Sequence, residues 1–245
     1  MRKTVLIFGA TSAIASATAA AFATRGYDLY LAGRNAEELG RIAEDMALRY
    51  RIRAWYGLFE AEATHSHADF LMQAVAEAGE IEGVVLALGY LGDQQAARNF
   101  DAGAAVIMVN FTAAASILSH CANYLESRKR GFIIGISSVA GDRGRQSNYV
   151  YGAAKGALSL YLQGLRNRLF TSGVRVITVK PGFVDTAMTY GMPGLFLVAS
   201  PQYIGERIAD ALKKPADVIY VPWFWRYIMV IIKAIPEFIF KRLKL

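Results

Sequence analysis

Seven short runs rich in β-branched and aliphatic residues recur along the chain, each followed by a helix-length stretch, and no other feature narrows the fold as far. They occupy residues 4–8, 28–32, 52–59, 83–88, 132–137, 174–179 and 218–221. Runs this short and apolar suit strands buried on both faces, and the Ala-rich amphipathic stretches between them suit the crossovers that parallel strands require. The expected architecture is α/β: a doubly wound parallel sheet of seven strands with helices on both faces, in one domain over residues 1–222 with a C-terminal amphipathic helical tail over 223–245. An apolar content of 54% against 19% charged residues can fill such a core and excludes a disordered chain.

The 27 basic and 20 acidic residues give a formal charge of +7, most of it at one end. Residues 213–245 hold seven basic side chains and two acidic ones, so the body is nearly balanced. A nucleic-acid binder would spread its charge over a face of the body, which argues against DNA or RNA and for a local basic tail. The lone Cys121 can form no intramolecular disulfide and fits a reducing, cytoplasmic setting. Arg2 and Lys3 precede an apolar run that stops at Gly9, too soon for a signal peptide. No segment reads as a conventional membrane span of about 18 uncharged apolar residues.

The first strand runs directly into Gly9, Ala10, Thr11, Ser12, Ala13, Ile14 and Ala15 and then an Ala-rich helix. That strand-turn-helix order would aim backbone N–H groups at a dinucleotide pyrophosphate. At the end of the second strand stands Arg34, where a carboxylate would select NADH. An arginine there pairs with a 2′-phosphate, so the expected coenzyme is NADPH, with NADH the alternative. Glu60, ending the third strand, is placed either to accept from the adenine amino group or to face solvent.

Ser138 ends the fifth strand, and thirteen residues later Tyr151 and Lys155 open a long helix. At i and i+4 they share one helix face, where an ammonium would lower the phenol pKa. A serine at the strand end can bond the carbonyl oxygen that the tyrosine protonates, which is the geometry of carbonyl reduction. Asn110, on the helix after the fourth strand, could hold a relay water through its amide. Pro181, Gly182, Val184 and Thr186 follow the sixth strand, where a ligand would meet the strand ends.

With these motifs in place the chain resembles the short-chain dehydrogenase/reductase family over about residues 3–222. The resemblance implies a Rossmann-type fold and a catalytic set of Ser138, Tyr151, Lys155 and Asn110. It also implies cofactor contacts at Gly9, Thr11, Ser12, Ala13, Ile14, Arg34, Glu60, Gly89, Tyr151, Lys155, Pro181, Gly182, Val184 and Thr186. Two departures stand out: Leu86-Ala87-Leu88-Gly89 replaces the family's usual Asn-Asn-Ala-Gly, and Ala13 and Ala15 replace turn glycines. Both bear on cofactor affinity more than on activity. A narrower likeness, carried by residues 87–93, 137–143, 148–152 and 225–229 with Ile235-Pro236, is to the branch that reduces decaprenylphosphoryl-2-keto-ribose. It implies a polyprenyl-phosphate-linked keto-sugar substrate, a partner oxidase supplying the ketone, and a homo-oligomer built through the helices carrying Asn110 and Tyr151.

Residues 185–200 lack periodicity and carry Met188, Met192, Pro193, Leu195, Phe196 and Leu197, the pattern of an apolar flap over a substrate. Ser200 and Pro201 then start a helix reaching about Leu212. In the tail, Arg226, Val230, Lys233 and Glu237 line a narrow, mostly polar stripe beside a wide apolar face, and Lys241, Arg242 and Lys244 follow. Such a segment lies in the interface of an anionic leaflet, peripheral to the inner face of a membrane, or docks on another subunit. His65, His67 and His120 do not have metal-ligand spacing, so no metal site is expected. By the same topology Asp93 and Arg143 lie where they would reach a polar substrate. The reading that results is an NADPH-dependent ketone reductase acting on an amphipathic substrate. Its alternatives are a reductase of another lipid ketone (3-ketosphinganine-like, fatty or steroid) and a non-catalytic nucleotide-binding protein.

Overall fold

The computed structural model describes residues 3–93, 95–191 and 196–243. Seven strands, β1 (Thr4–Phe8), β2 (Asp28–Gly33), β3 (Ala54–Leu58), β4 (Ile81–Leu86), β5 (Phe132–Ile136), β6 (Arg175–Pro181) and β7 (Val218–Val221), form one sheet in the order β3-β2-β1-β4-β5-β6-β7. Every pair is parallel, with Ile7 registered against Leu31 on one side and Val85 on the other. The expected doubly wound seven-stranded sheet is therefore what the chain forms.

Alternation along β1 shows how the two layers arise. Val5 and Ile7 face a core closed by α1 (Ala13–Thr24), α2 (Ala36–Tyr50) and α7 (Pro201–Asp210), while Leu6 and Phe8 face one closed by α3 (His67–Ala78), α5 (Ala113–Arg128) and α6 (Tyr149–Leu169). Both sets are fully buried, as strands covered on both faces must be. The fourth strand ends earlier than its apolar run suggested, because the Leu88 carbonyl turns out of the ladder to accept from Lys155. Ser200 caps α7 by accepting from the Tyr203 N–H, with Pro201 in the first turn, and the regular helix stops at Asp210 before a short 3-10 turn.

Among the described residues one helical run, Phe100–Arg128, is long and apolar enough to cross a membrane by length and composition, which corrects the expectation of no such segment. It contains α4 (Phe100–Ile107), a π turn and α5. Ala113, Ile117, Leu118, Cys121 and Leu125 of α5 are buried against the sheet, so in this fold the run is a core element.

The segment after β7 folds back onto the domain as α8 (Trp225–Ala234) and α9 (Glu237–Phe240). Trp225 and Met229 are buried, and the Trp225 ring lies 5.5 Å from that of Phe183 and 5.7 Å from that of Phe196. Gly182 permits this approach: a Cβ there would fall 1.8 Å from Trp225 Nε1. The last carbonyls of α8 would be left without intrahelical donors. Arg143 satisfies them, donating to Ile232 O and Ile235 O at 2.6 Å and to Lys233 O at 3.1 Å. The same guanidinium pairs with Glu237 at 3.0 Å and lies over the Phe240 ring. Arg143 is thus spent on the tail, and the expectation that it reaches a polar substrate is corrected. Its cationic charge at a helix C-terminus is where the helix dipole favours one.

Because one side chain serves three carbonyls, Arg143→Ala should lower stability by about 2–3 kcal/mol. Amide exchange should quicken through residues 228–240 while the β1 and β4 amides keep their protection. Unchanged exchange in that segment would show that the arginine does not hold it.

Candidate active site

The sheet reverses its winding between β1 and β4, so the chain leaves these neighbouring strands toward opposite faces and opens a crevice at their carboxyl ends. On the β1 side Gly9 takes φ +72°, and a Cβ there would sit 2.8 Å from Ala87 O. The turn is therefore closed to any other residue without rearrangement. Ser12 caps α1 through the Ala15 N–H at 3.3 Å, and its own N–H goes to Gly9 O. No acceptor in the described residues takes the Ala13 or Ile14 N–H, so the first turn of α1 presents free donors to an anion. Ala13 fits this cradle as it stands. Arg34 and Glu60 are exposed at the ends of β2 and β3, and Asn35 is occupied in capping α2 through the Glu38 N–H. These features fit a dinucleotide.

On the β5 side Ser138 opens a 3-10 turn, its Oγ accepting from Ala140 N at 3.1 Å and its own O–H left to donate. Tyr151 lies in the first turn of α6. Burial pushes its phenol up to about 12, and the neighbouring Ser138 hydroxyl pulls the other way. The sequence suggested that Lys155 would lower this phenol, but desolvation outweighs any such effect: the ammonium lies 5.9 Å from the ring centroid and is turned elsewhere. Lys155 Nζ donates to Leu88 O at 2.9 Å and to Ile136 O at 3.2 Å, tying the ends of β4 and β5 to α6. Only 2% of Lys155 is exposed, and burial depresses its pKa from 10.5 to about 7.

Asn110 is fully buried in the π turn Met108–Thr112. Its amide donates to Tyr90 O at 2.6 Å and Val106 O at 2.8 Å and accepts from Tyr90 N at 3.2 Å. Both amide hydrogens are used, so the side chain fixes the loop after β4, and the suggested water-holding amide has no donor left to offer. Sequence reasoning also passed over Ser137, whose hydroxyl bonds Lys155 O at 2.9 Å and Ser159 Oγ at 2.8 Å. The Ser-Ser doublet was its only signal.

The loop beyond β6 is pinned at its base by a parallel bridge between Val184 and Ala199. Within it Thr186 shares a hydroxyl contact with Thr189 at 3.3 Å, and Met188 reaches within 3.4 Å of where a Gly89 Cβ would stand, spanning from the β6 end to the β4 end. Pro181 is buried as the last residue of β6. Met192, Pro193, Gly194 and Leu195 of the expected flap, and Lys244 of the tail, lie outside the described residues. Among the described residues no group of three His, Cys, Asp or Glu side chains is assembled to hold a metal. His67 is buried against Phe59, with its Nδ1 3.0 Å from Ser116 Oγ.

A family model described as short chain dehydrogenase matches residues 3–192. The chain belongs to this family. Among curated relatives, an uncharacterized oxidoreductase of Mycobacterium tuberculosis is 36% identical over 240 residues, covering 98% of this chain and 96% of the relative. Sulfoacetaldehyde reductase 2 of Chromohalobacter salexigens is 31% identical over 224 residues, covering 90% and 88%. Among solved structures, a short chain dehydrogenase from Burkholderia cenocepacia in complex with NADP superposes with a TM-score of 0.83 at 21% identity, covering 100% of this chain and 98% of that one. An actinorhodin polyketide ketoreductase with NADPH gives 0.81 at 18%, covering 91% and 97%. As a short-chain dehydrogenase the protein is an NAD(P)H-dependent oxidoreductase.

The buried lysine makes a pH prediction with a defined sign. Its folded value lies below 10.5, so between about pH 7 and 10.5 the unfolded chain binds more protons and this group's contribution to stability grows as pH rises. The Tm of wild type relative to Lys155→Met should therefore increase from pH 6 to pH 10. An equal difference at both pH values would show that the ammonium is not penalised by burial.

Proposed function

We propose that the protein is an NADPH-dependent reductase that converts a ketone to a secondary alcohol on an amphipathic, polyprenyl-phosphate-linked keto-sugar at a membrane surface. One observation carries the reading: the half-buried Tyr151 stands beside Ser138 at strand ends that the apolar flap and the tail also border, with Phe196 and Trp225 in ring contact. When bound, the reduced nicotinamide supplies the hydride. Ser138 orients the substrate carbonyl, and Tyr151, which burial keeps protonated at neutral pH, donates the proton to its oxygen. Lys155 holds the ends of β4 and β5 through its two carbonyl bonds, and when protonated it has a third N–H that the ribose would take. Asn110 keeps the loop after β4 in place. Ala13 and Ile14 N–H groups receive the pyrophosphate, Arg34 the 2′-phosphate, and Gly89, Pro181, Gly182, Val184 and Thr186 border the nicotinamide.

The tail supports the lipid half of the proposal. Its inner face is held by the domain, and its outer face exposes Trp223, Tyr227, Val230, Ile231 and Phe238 alongside Arg226, Lys233, Lys241 and Arg242. Such a surface suits the cytoplasmic face of an anionic membrane, each basic residue contributing about 1 kcal/mol. Exposed Phe100, Leu160 and Phe170 on or next to α4 and α6 suit a homo-oligomer through those helices. A second reading, reduction of a small carbonyl compound bearing an anionic group, is favoured by the sulfoacetaldehyde reductase relative.

The deciding experiment follows NADPH oxidation by the protein on liposomes carrying a polyprenyl-phosphate 2-ketopentose, beside 3-ketosphinganine and sulfoacetaldehyde. Turnover confined to the sugar lipid is expected; turnover confined to another carbonyl removes the sugar. Tyr151→Phe should lower the rate by about 10²-fold or more, the span of general acid catalysis, and leave NADPH affinity within about threefold; wild-type turnover by that variant would overturn the mechanism. Arg34→Ala should raise the KM for NADPH about tenfold, the scale of one charge-assisted bond, with little change for NADH.

A further inference from the structure

Between Ser138 and Tyr151 the chain crosses residues 143–148, a loop held on two sides. Arg143 is clamped to the end of α8, and Gln146 Nε2 reaches Leu243 O at 3.5 Å. The arginine between them is different. Arg145 Nε is buried with no partner, and its guanidinium has no hydrogen bond or ion pair among the described residues. The nearest acid in sequence, Asp142, is committed elsewhere, accepting from Lys180 and from the Tyr220 hydroxyl. Desolvation lowers the Arg145 pKa from its ordinary value, and Asp142 only partly opposes it. A second buried group on the same loop is orphaned too: Asn148 Oδ1 has no donor, and its side chain does not cap α6. No acidic residue stands in the first turn of that helix to repel an anion.

Buried polar groups are nearly always satisfied; Arg145 is half-buried, and a ligand at its guanidinium would complete the orphaned Nε. Asn148 N closes a turn onto Arg145 O at 3.1 Å, and Gly152 N continues the helix onto Asn148 O. One turn, spanning under about 7 Å, and less than one helical turn therefore separate Arg145 from Tyr151. A side chain of arginine's length on that loop reaches a group a few bonds from the carbonyl that Tyr151 protonates.

We propose that Arg145 is a specificity-determining residue that binds a tetrahedral oxyanion, a phosphoryl or sulfonyl group, on the substrate. The planar guanidinium meets two oxygens of such a group at once, and Asn148 turns its amide to the same ligand or to a sugar hydroxyl. The inference deepens the function proposed above and rests on it only for the substrate's other half. It also places the anion where the polar catalytic loop meets the apolar tail, the arrangement that a lipid phosphate requires and a soluble phosphate tolerates.

The test measures binding rather than turnover, on the full chain saturated with NADPH. Two matched pairs are titrated: farnesyl phosphate against farnesol, and dihydroxyacetone phosphate against dihydroxyacetone. Wild type should bind at least one phosphorylated probe about tenfold or more tightly than its partner, the scale of a charge-assisted bond. Preference for farnesyl phosphate identifies a lipid-borne group and preference for dihydroxyacetone phosphate a soluble one. Arg145→Gln should erase the preference, Arg145→Lys should keep part of it, and NADPH affinity should not move. Because Arg145 makes no bond among the described residues, Arg145→Gln should keep or raise the wild-type Tm. Absence of any phosphate preference in wild type, its survival in Arg145→Gln, or an equal loss of NADPH affinity would each overturn the assignment. Tyr151→Phe serves as the control that keeps the preference while losing turnover. A wild type with the preference that reduces no ketone would sink the reductase reading and leave the anion site standing.

Discussion

The reversal of the sheet between β1 and β4 is the constraint on which the rest depends. Two neighbouring parallel strands send their chains to opposite layers, and the gap between them can be filled only by backbone that has little side chain to bring. Gly9 on one bank and the Leu88 carbonyl on the other meet that demand. Lys155 then bridges the second bank to β5 from beneath. Helix α6 is therefore fastened to the sheet through main-chain carbonyls, whose positions are set by strand register and not by side-chain identity. This explains how the chain tolerates Leu86-Ala87-Leu88 after the fourth strand: the lysine needs an oxygen at that point, and every residue supplies one.

Much of this was legible in the sequence. Apolar runs marked the seven strands within a few residues, since burial on both faces leaves the central strands no alternative composition, while the edge strands β3 and β7 keep exposed residues. The spacing of Tyr151 and Lys155 put both on one face of α6, because i and i+4 share a helix face whatever surrounds them. What the sequence withheld were consequences of burial and of distant pairing. The depressed Lys155 pKa depends on how completely β4, β5 and α6 exclude water. The amide of Asn110 is consumed by a π turn that no periodicity announces. Arg143 finds its carbonyls about ninety residues downstream, so its sequence neighbourhood pointed to substrate when its structural neighbourhood was the tail.

The two arginines of the loop before α6 show the same physics with opposite outcomes. Arg143 and Arg145 stand two positions apart on one loop. The first is given three carbonyls, a carboxylate and an aromatic face; the second has its Nε buried and makes no hydrogen bond among the described residues. Satisfaction of the first holds the loop that carries the second, whose side chain is only half-buried.

The clasp between Arg143 and α8 also bears on how the molecule is made. A nascent chain that has already produced Ser138, Tyr151 and Lys155 still lacks the carbonyls that hold the loop between them, and those appear only after roughly ninety further residues have been added. Synthesis in that order delays completion of the substrate side until β6 and β7 have joined the sheet. The loop between Ser138 and Tyr151 is therefore among the last parts of the domain to be fastened.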